Sequence, residues 1–360
     1  MINIAQPALG GEEIAAANEV FRSGMLAQGK ITEEFEKNFA KYCGVSYATG
    51  LNSGTAALHM GLLALGIGKG DEVIVPSFTF IATATSVSMC GAKPVIVDVL
   101  EESYTINPDE VLENLSDKTK AVIGVHLFGQ PFDVKSLDDI CKDKGIFLIE
   151  DAAQSHVAIY DSKKVGGLGD LGCFSFYPTK NMTTIEGGMV TTNDKEADSK
   201  LKRLINHGQS AKYLHTELGY NMRMSNVSAA IGNVQLSKLD GMNKKRAKNA
   251  EILCKEINVP GLKKPFCRDN SKHVWHQYVL EIAKNFPLTR DEFRDYLFDK
   301  GIGTAVHYPI PVHKQPLYEN SGYKCPVSEE LSSSVLSLPV HPGVSEEECR
   351  FIAKVINQVA

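Results

Sequence analysis

No C-x-x-C pair occurs in this chain. Its eight cysteines, at positions 43, 90, 141, 173, 254, 267, 325 and 349, stand singly with no histidine at metal-ligand spacing. Zinc-knuckle and thioredoxin-like readings are excluded, no metal is expected, and the cysteines read as reduced core residues. A run of lysine and arginine able to follow a phosphate backbone is also missing. With a formal net charge of −5, nucleic acid is not an expected partner. Long apolar runs are missing too. The longest weakly polar stretch, residues 56–68, contains His59 and falls short of the ~18 apolar residues a membrane span needs, so no membrane partner is expected. The opening Met1-Ile2-Asn3-Ile4-Ala5-Gln6-Pro7 lacks the basic start and apolar run of a signal peptide, and a cytoplasmic location is expected.

What is present is an ordinary globular composition, 43% hydrophobic and 22% charged over 360 residues, enough for two domains. Ile14, Ala17, Val20 and Phe21 fall at helical spacing before Ser23-Gly24, and a second helix, capped near Thr32, carries Phe35 and Phe39 up to Gly44. Strands are expected at 72–75, 94–98, 121–125, 146–149 and 189–192, with helices at 108–115 and 134–144 between them. Strands apolar throughout and separated by helices imply a mostly parallel sheet covered on both faces, an α/β fold. Gly66-Ile67-Gly68-Lys69-Gly70 precedes a strand instead of following one, so it reads as a loop and not as a dinucleotide fingerprint. A long helical stretch from about Ser225 bridges to a smaller α+β part, with strands expected at 274–282 and 303–306, a helix at 289–300 and a last helix capped by Ser345 with Glu348. The division expected is a large α/β domain over 1–240 and a small α+β domain over 241–360.

Chemistry concentrates in Gly172-Cys173-Phe174-Ser175-Phe176-Tyr177-Pro178-Thr179-Lys180-Asn181, a short strand that stops at a proline and presents a lysine. A lysine amine attacks an aldehyde only when unprotonated, and burial or a nearby positive charge produces that state. Upstream, the apolar run Phe147-Leu148-Ile149 ends in Glu150-Asp151 and continues into Ala152-Ala153-Gln154. C-terminal ends of parallel strands are where α/β sheets hold ligands. A lysine for the aldehyde and a carboxylate for the protonated ring nitrogen are what pyridoxal phosphate requires. Ser53-Gly54-Thr55 before a helix suits an anion, and Phe80 follows a strand where an aromatic can cover a flat ring. Blander readings of single residues stay open: a solvated loop lysine, Asp151 as a helix N-cap, Ser53 as a plain cap, Phe80 as core.

Taken together, these motifs resemble the DegT/DnrJ/EryC1/StrS aminotransferases, with the likeness running from Gly24-Met25-Leu26-Ala27-Gln28-Gly29 to His307-Tyr308-Pro309. The resemblance implies a fold-type-I homodimer with pyridoxal 5'-phosphate at the subunit boundary. It implies that Lys180 is catalytic, binding the cofactor aldehyde and moving the proton. Asp151 would pair the pyridine nitrogen, Gln154 would touch the phenolic edge and Phe80 would cover the ring. The phosphate would lie on Gly54, Thr55, Ser175 and, from the partner chain, Asn221. Arg223, His307 and Tyr308 would face a nucleotide-linked keto sugar, aminated in ping-pong fashion from an amino-acid donor, glutamate or glutamine by family habit.

Two departures accompany this likeness. Relatives usually carry glycine where this chain has Val157 and often where it has Ile185, and β-branched residues avoid positive φ, so a remodelled loop after Lys180 is expected. Two further readings stay open: a cofactor-binding regulator or inactive subunit, and a pyridoxal enzyme acting on amino acids alone.

Overall fold

The computed structural model describes residues 1–359. Seven strands form its central sheet, in the order Tyr47–Leu51, Gly188–Thr192, Leu171–Ser175, Phe147–Asp151, Thr119–Val125, Glu72–Pro76 and Lys93–Val97. The last five run parallel, and Gly188–Thr192 is antiparallel to both of its neighbours. The mostly parallel α/β architecture expected from the sequence is what the chain forms. Its strands read apolar without alternation because both faces are covered. Leu148 and Val122 pack with Leu137 of the helix Val134–Lys144, whereas Ile149 and Ile123 pack with Leu58 and Leu62 of the helix Gly54–Ala64.

A smaller antiparallel sheet, Leu262–Lys263, Tyr278–Ile282 and Val335–Leu338, packs on the helices Arg290–Asp299 and Glu346–Ile356 around Tyr278, Leu280, Phe293 and Ile352. Between the two layers runs the helix Asn226–Glu256, whose 31 residues extend about 46 Å at 1.5 Å per residue. Its first half packs on Gly11–Ser23 and Lys30–Cys43 and its last turns on Glu346–Ile356. Residue 240 lies inside this helix, so one rod serves both sheets. The N-terminus joins the smaller layer, because Ile2 bridges Ile302.

Several local expectations change. The strand expected at 274–282 begins only at Tyr278, because Trp275 takes a left-handed backbone (φ 52°) and the amides of Val274 and Gln277 donate to the carbonyls of Gly129 and Phe128. The stretch 303–306 is no strand; its pairing is a single bridge from Ala305 to Ser337. The second helix is N-capped by Gly29. Thr32 is buried and hydrogen-bonds Asn226 from its amide (3.1 Å) and its hydroxyl (3.0 Å). The Ser345–Glu348 capping box is present. Among the described residues, no helix is long and apolar enough to cross a membrane.

Candidate active site

The parallel strands ending in Val125, Asp151 and Ser175 open onto one cavity of about 480 Å³, lined also by Gly54, Thr55, Phe80, Gln154, Lys180, His307 and Tyr308. Its place is the carboxyl edge of the sheet, where α/β proteins bind ligands. Asp151 is the last residue of its strand and no helix follows it, which removes the N-cap reading. The residue is only 5% exposed. One oxygen accepts from the Thr83 hydroxyl (2.9 Å) and the other from the Ala153 amide (3.2 Å). Lys180 sits in the turn beyond Ser175, its amide donating to the Tyr177 carbonyl (2.9 Å), and its amine reaches back into the cavity.

Burial lowers the Lys180 amine to about 8, against the opposing pull of Asp151. Desolvation pushes the Asp151 carboxyl up, while Thr83, Ala153, Lys180 and His126 favour its charged form. Around this pair His156, His276 and His307 are held toward the neutral form. Burial holds His156 down to about 3 and His307 to about 4, with the nearby Lys180 acting in the same direction. His276, whose Nδ1 meets the Asn181 amide oxygen at 3.2 Å, is lowered by burial too.

At the other end of the cavity, Ser53 caps the helix Gly54–Ala64 by accepting from the Ala56 amide (3.1 Å). The plain-cap reading therefore holds for Ser53 itself, whereas the amides of Gly54 and Thr55 donate to no protein group among the described residues. A Cβ on Gly54 would lie 2.5 Å from that of Ser175, so this approach admits backbone alone. Two free amides and a serine hydroxyl at a helix start form a cradle suited to a phosphate. Gln154 is locked: its Oε1 accepts from the Phe128 amide (2.7 Å) and its Nε2 donates to the Tyr308 hydroxyl (2.8 Å). Phe80 is 55% exposed at the cavity wall, unlike Phe78, which is buried core. An unbonded buried amine, a buried carboxylate, an anion cradle and an exposed ring fit the donor set of pyridoxal phosphate.

Asn221 and Arg223 do not line this cavity. Arg223 hydrogen-bonds Asn206, and Asn221 pairs with Asn206 in an isolated bridge. Conversely, Thr79, His276, Gln277, Tyr177, Glu186 and the N-terminal Ile4-Ala5 line it without having been singled out. For His276 and Gln277 the signal is a polar pair inside an expected strand, which marks irregular backbone. Thr83 lies in the helix Ala82–Met89, and nothing local in the sequence ties it to Asp151.

Val157 and Ile185 do not avoid the left-handed region. Both take that backbone, with φ 59° and 74°, although their side chains are β-branched. Val157 is held inside the apolar cluster of Ala152, Phe174 and Phe176. Ile185 is exposed and held by its amide, which donates to the Thr183 hydroxyl (2.9 Å), while that hydroxyl donates to the Phe176 carbonyl (2.8 Å).

The profile of the DegT/DnrJ/EryC1/StrS aminotransferase family matches residues 7–359. The dTDP-3-amino-3,6-dideoxy-alpha-D-galactopyranose transaminase of Aneurinibacillus thermoaerophilus is 41% identical over 345 residues, 95% of this chain and 94% of that protein. GDP-perosamine synthase of Escherichia coli O157:H7 is 38% identical, covering 99% of this chain and 98% of its own length. Among solved structures, S. venezuelae DesV in complex with a ketimine intermediate superposes with a TM-score of 0.92 at 37% identity, over 97% of this chain and 94% of that one.

Proposed function

The chain belongs to the DegT/DnrJ/EryC1/StrS aminotransferase family and has the fold-type-I architecture, and from that premise we propose that it transfers an amino group from an amino acid to a keto sugar carried on a nucleotide, using pyridoxal 5'-phosphate. The observation that carries this reading is the pairing, in one cavity, of an amine held near 8 with a buried carboxylate. Relatives named as transaminases of dTDP- and GDP-linked sugars support the substrate class. Glutamate or glutamine is the donor proposed, in two ping-pong half-reactions: donor to keto acid, then keto sugar to amino sugar.

When bound, the cofactor supplies a carbonyl for the amino group and a pyridinium that takes up electrons. Lys180 anchors it and, once released, carries a proton at Nζ, a role suited to an amine whose pKa lies near the working pH. Asp151 holds the charge opposite the ring nitrogen. Gly54, Thr55 and Ser175 bind the phosphate, and Phe80 shields the ring from water. Gln154, its orientation set by Phe128, presents Nε2 and the Tyr308 hydroxyl to the ring edge and sugar side, with His307 beside them. Asn221 and Arg223, outside this chain's cavity, are assigned to the site of a second copy in a homodimer. We further assign residues 1–240 to cofactor binding and 241–360 to the wall on the substrate side.

The test is the visible absorbance that pyridoxal phosphate gains on covalent attachment to a lysine, followed as glutamate is added. Loss of that band, with keto acid formed in equal amount, is the expected half-reaction. Lys180→Ala should lack the band and lose on the order of 10³-fold or more in turnover while remaining folded. A fully active Lys180→Ala protein would sink the proposal.

A further inference from the structure

Asp151 is the most exacting group in the cavity. A carboxylate this buried tends toward the neutral acid, yet a counter-charge for a pyridinium must remain ionised and aimed. The strand supplies the aspartate, but the strand does not orient its side chain. One oxygen is fixed by a local turn, through the Ala153 amide two residues on. The other is fixed from a distant part of the chain, by Thr83 in the first turn of the helix Ala82–Met89.

Thr83 is itself fully buried, and its hydroxyl has two neighbours: Asp151 Oδ2 at 2.9 Å and the Thr79 hydroxyl at 3.1 Å. An ionised carboxylate only accepts, so Thr83 donates to Asp151 and its own oxygen is left to accept from Thr79. The direction of the chain is thereby set: Thr79 to Thr83 to Asp151. Each donor polarises the next, and the last bond, ending on a charge, is the strong one. Thr79 lines the cavity, so the relay starts at the cavity wall and ends beneath the cofactor site.

We propose that Thr83, with Thr79 behind it, is a positioning residue that keeps Asp151 an ionised, oriented carboxylate. The cofactor consequence rests on the reading of Asp151 as the ring-nitrogen counter-charge. The other groups facing Asp151 are Lys180 beyond the neighbouring strand, His126 beyond the strand on the other side, Cys173 on the strand ending at Ser175, and Tyr308 from the C-terminal part. Lys180 is committed to the cofactor aldehyde, His126 is engaged by Glu150 and the Phe132 amide, and Cys173 and Tyr308, kept neutral by burial and by Asp151 itself, do not hydrogen-bond it, which leaves Thr83 as its neutral donor from outside its own turn.

The experiment follows the carboxyl-carbon resonance of Asp151 against pH in full-length, aspartate-labelled protein, assigned by its loss in Asp151→Asn. Thr83→Val keeps the shape and removes the hydroxyl; Thr83→Ser restores it. The midpoint should rise by about one pH unit or more in Thr83→Val, a tenfold change in the ionisation equilibrium, and return in Thr83→Ser. An unmoved midpoint overturns the proposal, as does a rise that serine fails to reverse. In parallel, pyridoxal phosphate should bind about tenfold more weakly to Thr83→Val, with no added loss in the Asp151→Asn background. If Asp151→Asn binds the cofactor as tightly as the unaltered protein, the counter-charge reading fails while the titration still decides the role of Thr83.

Discussion

Two loops leave adjacent parallel strands at the ligand edge: residues 152–158 after Asp151, and 176–187 after Ser175. They touch through His156, whose Nε2 donates to the Ser175 carbonyl (2.8 Å) and whose ring packs against Phe174 and Phe176. Each contains one β-branched residue with a left-handed backbone, a conformation costing on the order of 1–3 kcal/mol. They hold it differently. The first loop is enclosed, with Val157 7% exposed among core side chains. The second exposes Tyr177, Thr179 and Ile185 and relies on hydrogen bonds from Thr183 and Thr184. The loop that presents the reactive lysine buries Phe176, Met182, Thr183 and Thr184 but leaves its left-handed residue exposed and tied by hydrogen bonds, and Lys180 faces the cavity.

The largest separation between the loops should appear in acid. His156 is neutral in the folded protein down to about pH 3, whereas unfolded histidine titrates near 6.5. Between those values the unfolded chain binds the extra proton, so folded stability falls as pH drops through that window. By pH 4 this one residue would account for about 3 kcal/mol. His156→Gln should flatten the stability–pH slope between pH 4 and 6 by up to about 1.4 kcal/mol per pH unit, one proton's worth. Urea unfolding at several pH values measures it, and an unchanged slope would show that His156 is not buried neutral. The slope, unlike the absolute stability, is independent of any packing lost in the variant.

A smaller effect compares the left-handed residues directly, starting with the enclosed one. Val157→Gly relieves strain but loses about 1.5–3 kcal/mol of side-chain burial and adds about 0.5–1 kcal/mol of unfolded-chain entropy. Net destabilisation of about 1 kcal/mol is expected, read as a lower urea midpoint at unchanged slope. A clear gain in stability would mean that the apolar cluster does not hold this backbone.

How much of this was legible beforehand follows from what is local. Lys180, Asp151 and the Gly54-Thr55 helix start are each announced by a strand end or a helix start, and the fold brings such edges together. The mostly parallel sheet was legible for the same reason, since runs such as Phe147-Leu148-Ile149 declare burial on both faces. Thr83 and His276 reach the site only through contacts far apart in sequence, and no spacing rule encodes those. Backbone sign was the least legible feature. Trp275, Val157 and Ile185 all lie in the left-handed region that their residue types disfavour, because tertiary contacts outweigh the local preference. Reading preference alone turned residues 274–277 into strand.

Ile185 makes the finest test of the comparison. It is 53% exposed, so replacing it by glycine removes little burial. The relieved strain, about 1–3 kcal/mol, is then opposed mainly by the entropy glycine adds to the unfolded chain, about 0.5–1 kcal/mol. Ile185→Gly should therefore be neutral or stabilising by up to about 2 kcal/mol, and the hydrogen bond to the Thr183 hydroxyl should keep the loop in place. Cofactor attachment to Lys180 should proceed at the unaltered rate, because Ile185 lies on the outer side of the loop. Thr183→Val removes the tie instead of the strain and should loosen the loop, slowing attachment while Ile185→Gly does not. If the glycine variant were the slower of the two, side-chain packing at Ile185 and not the threonine hydroxyl would be what shapes the lysine loop, and the contrast between the two loops would disappear.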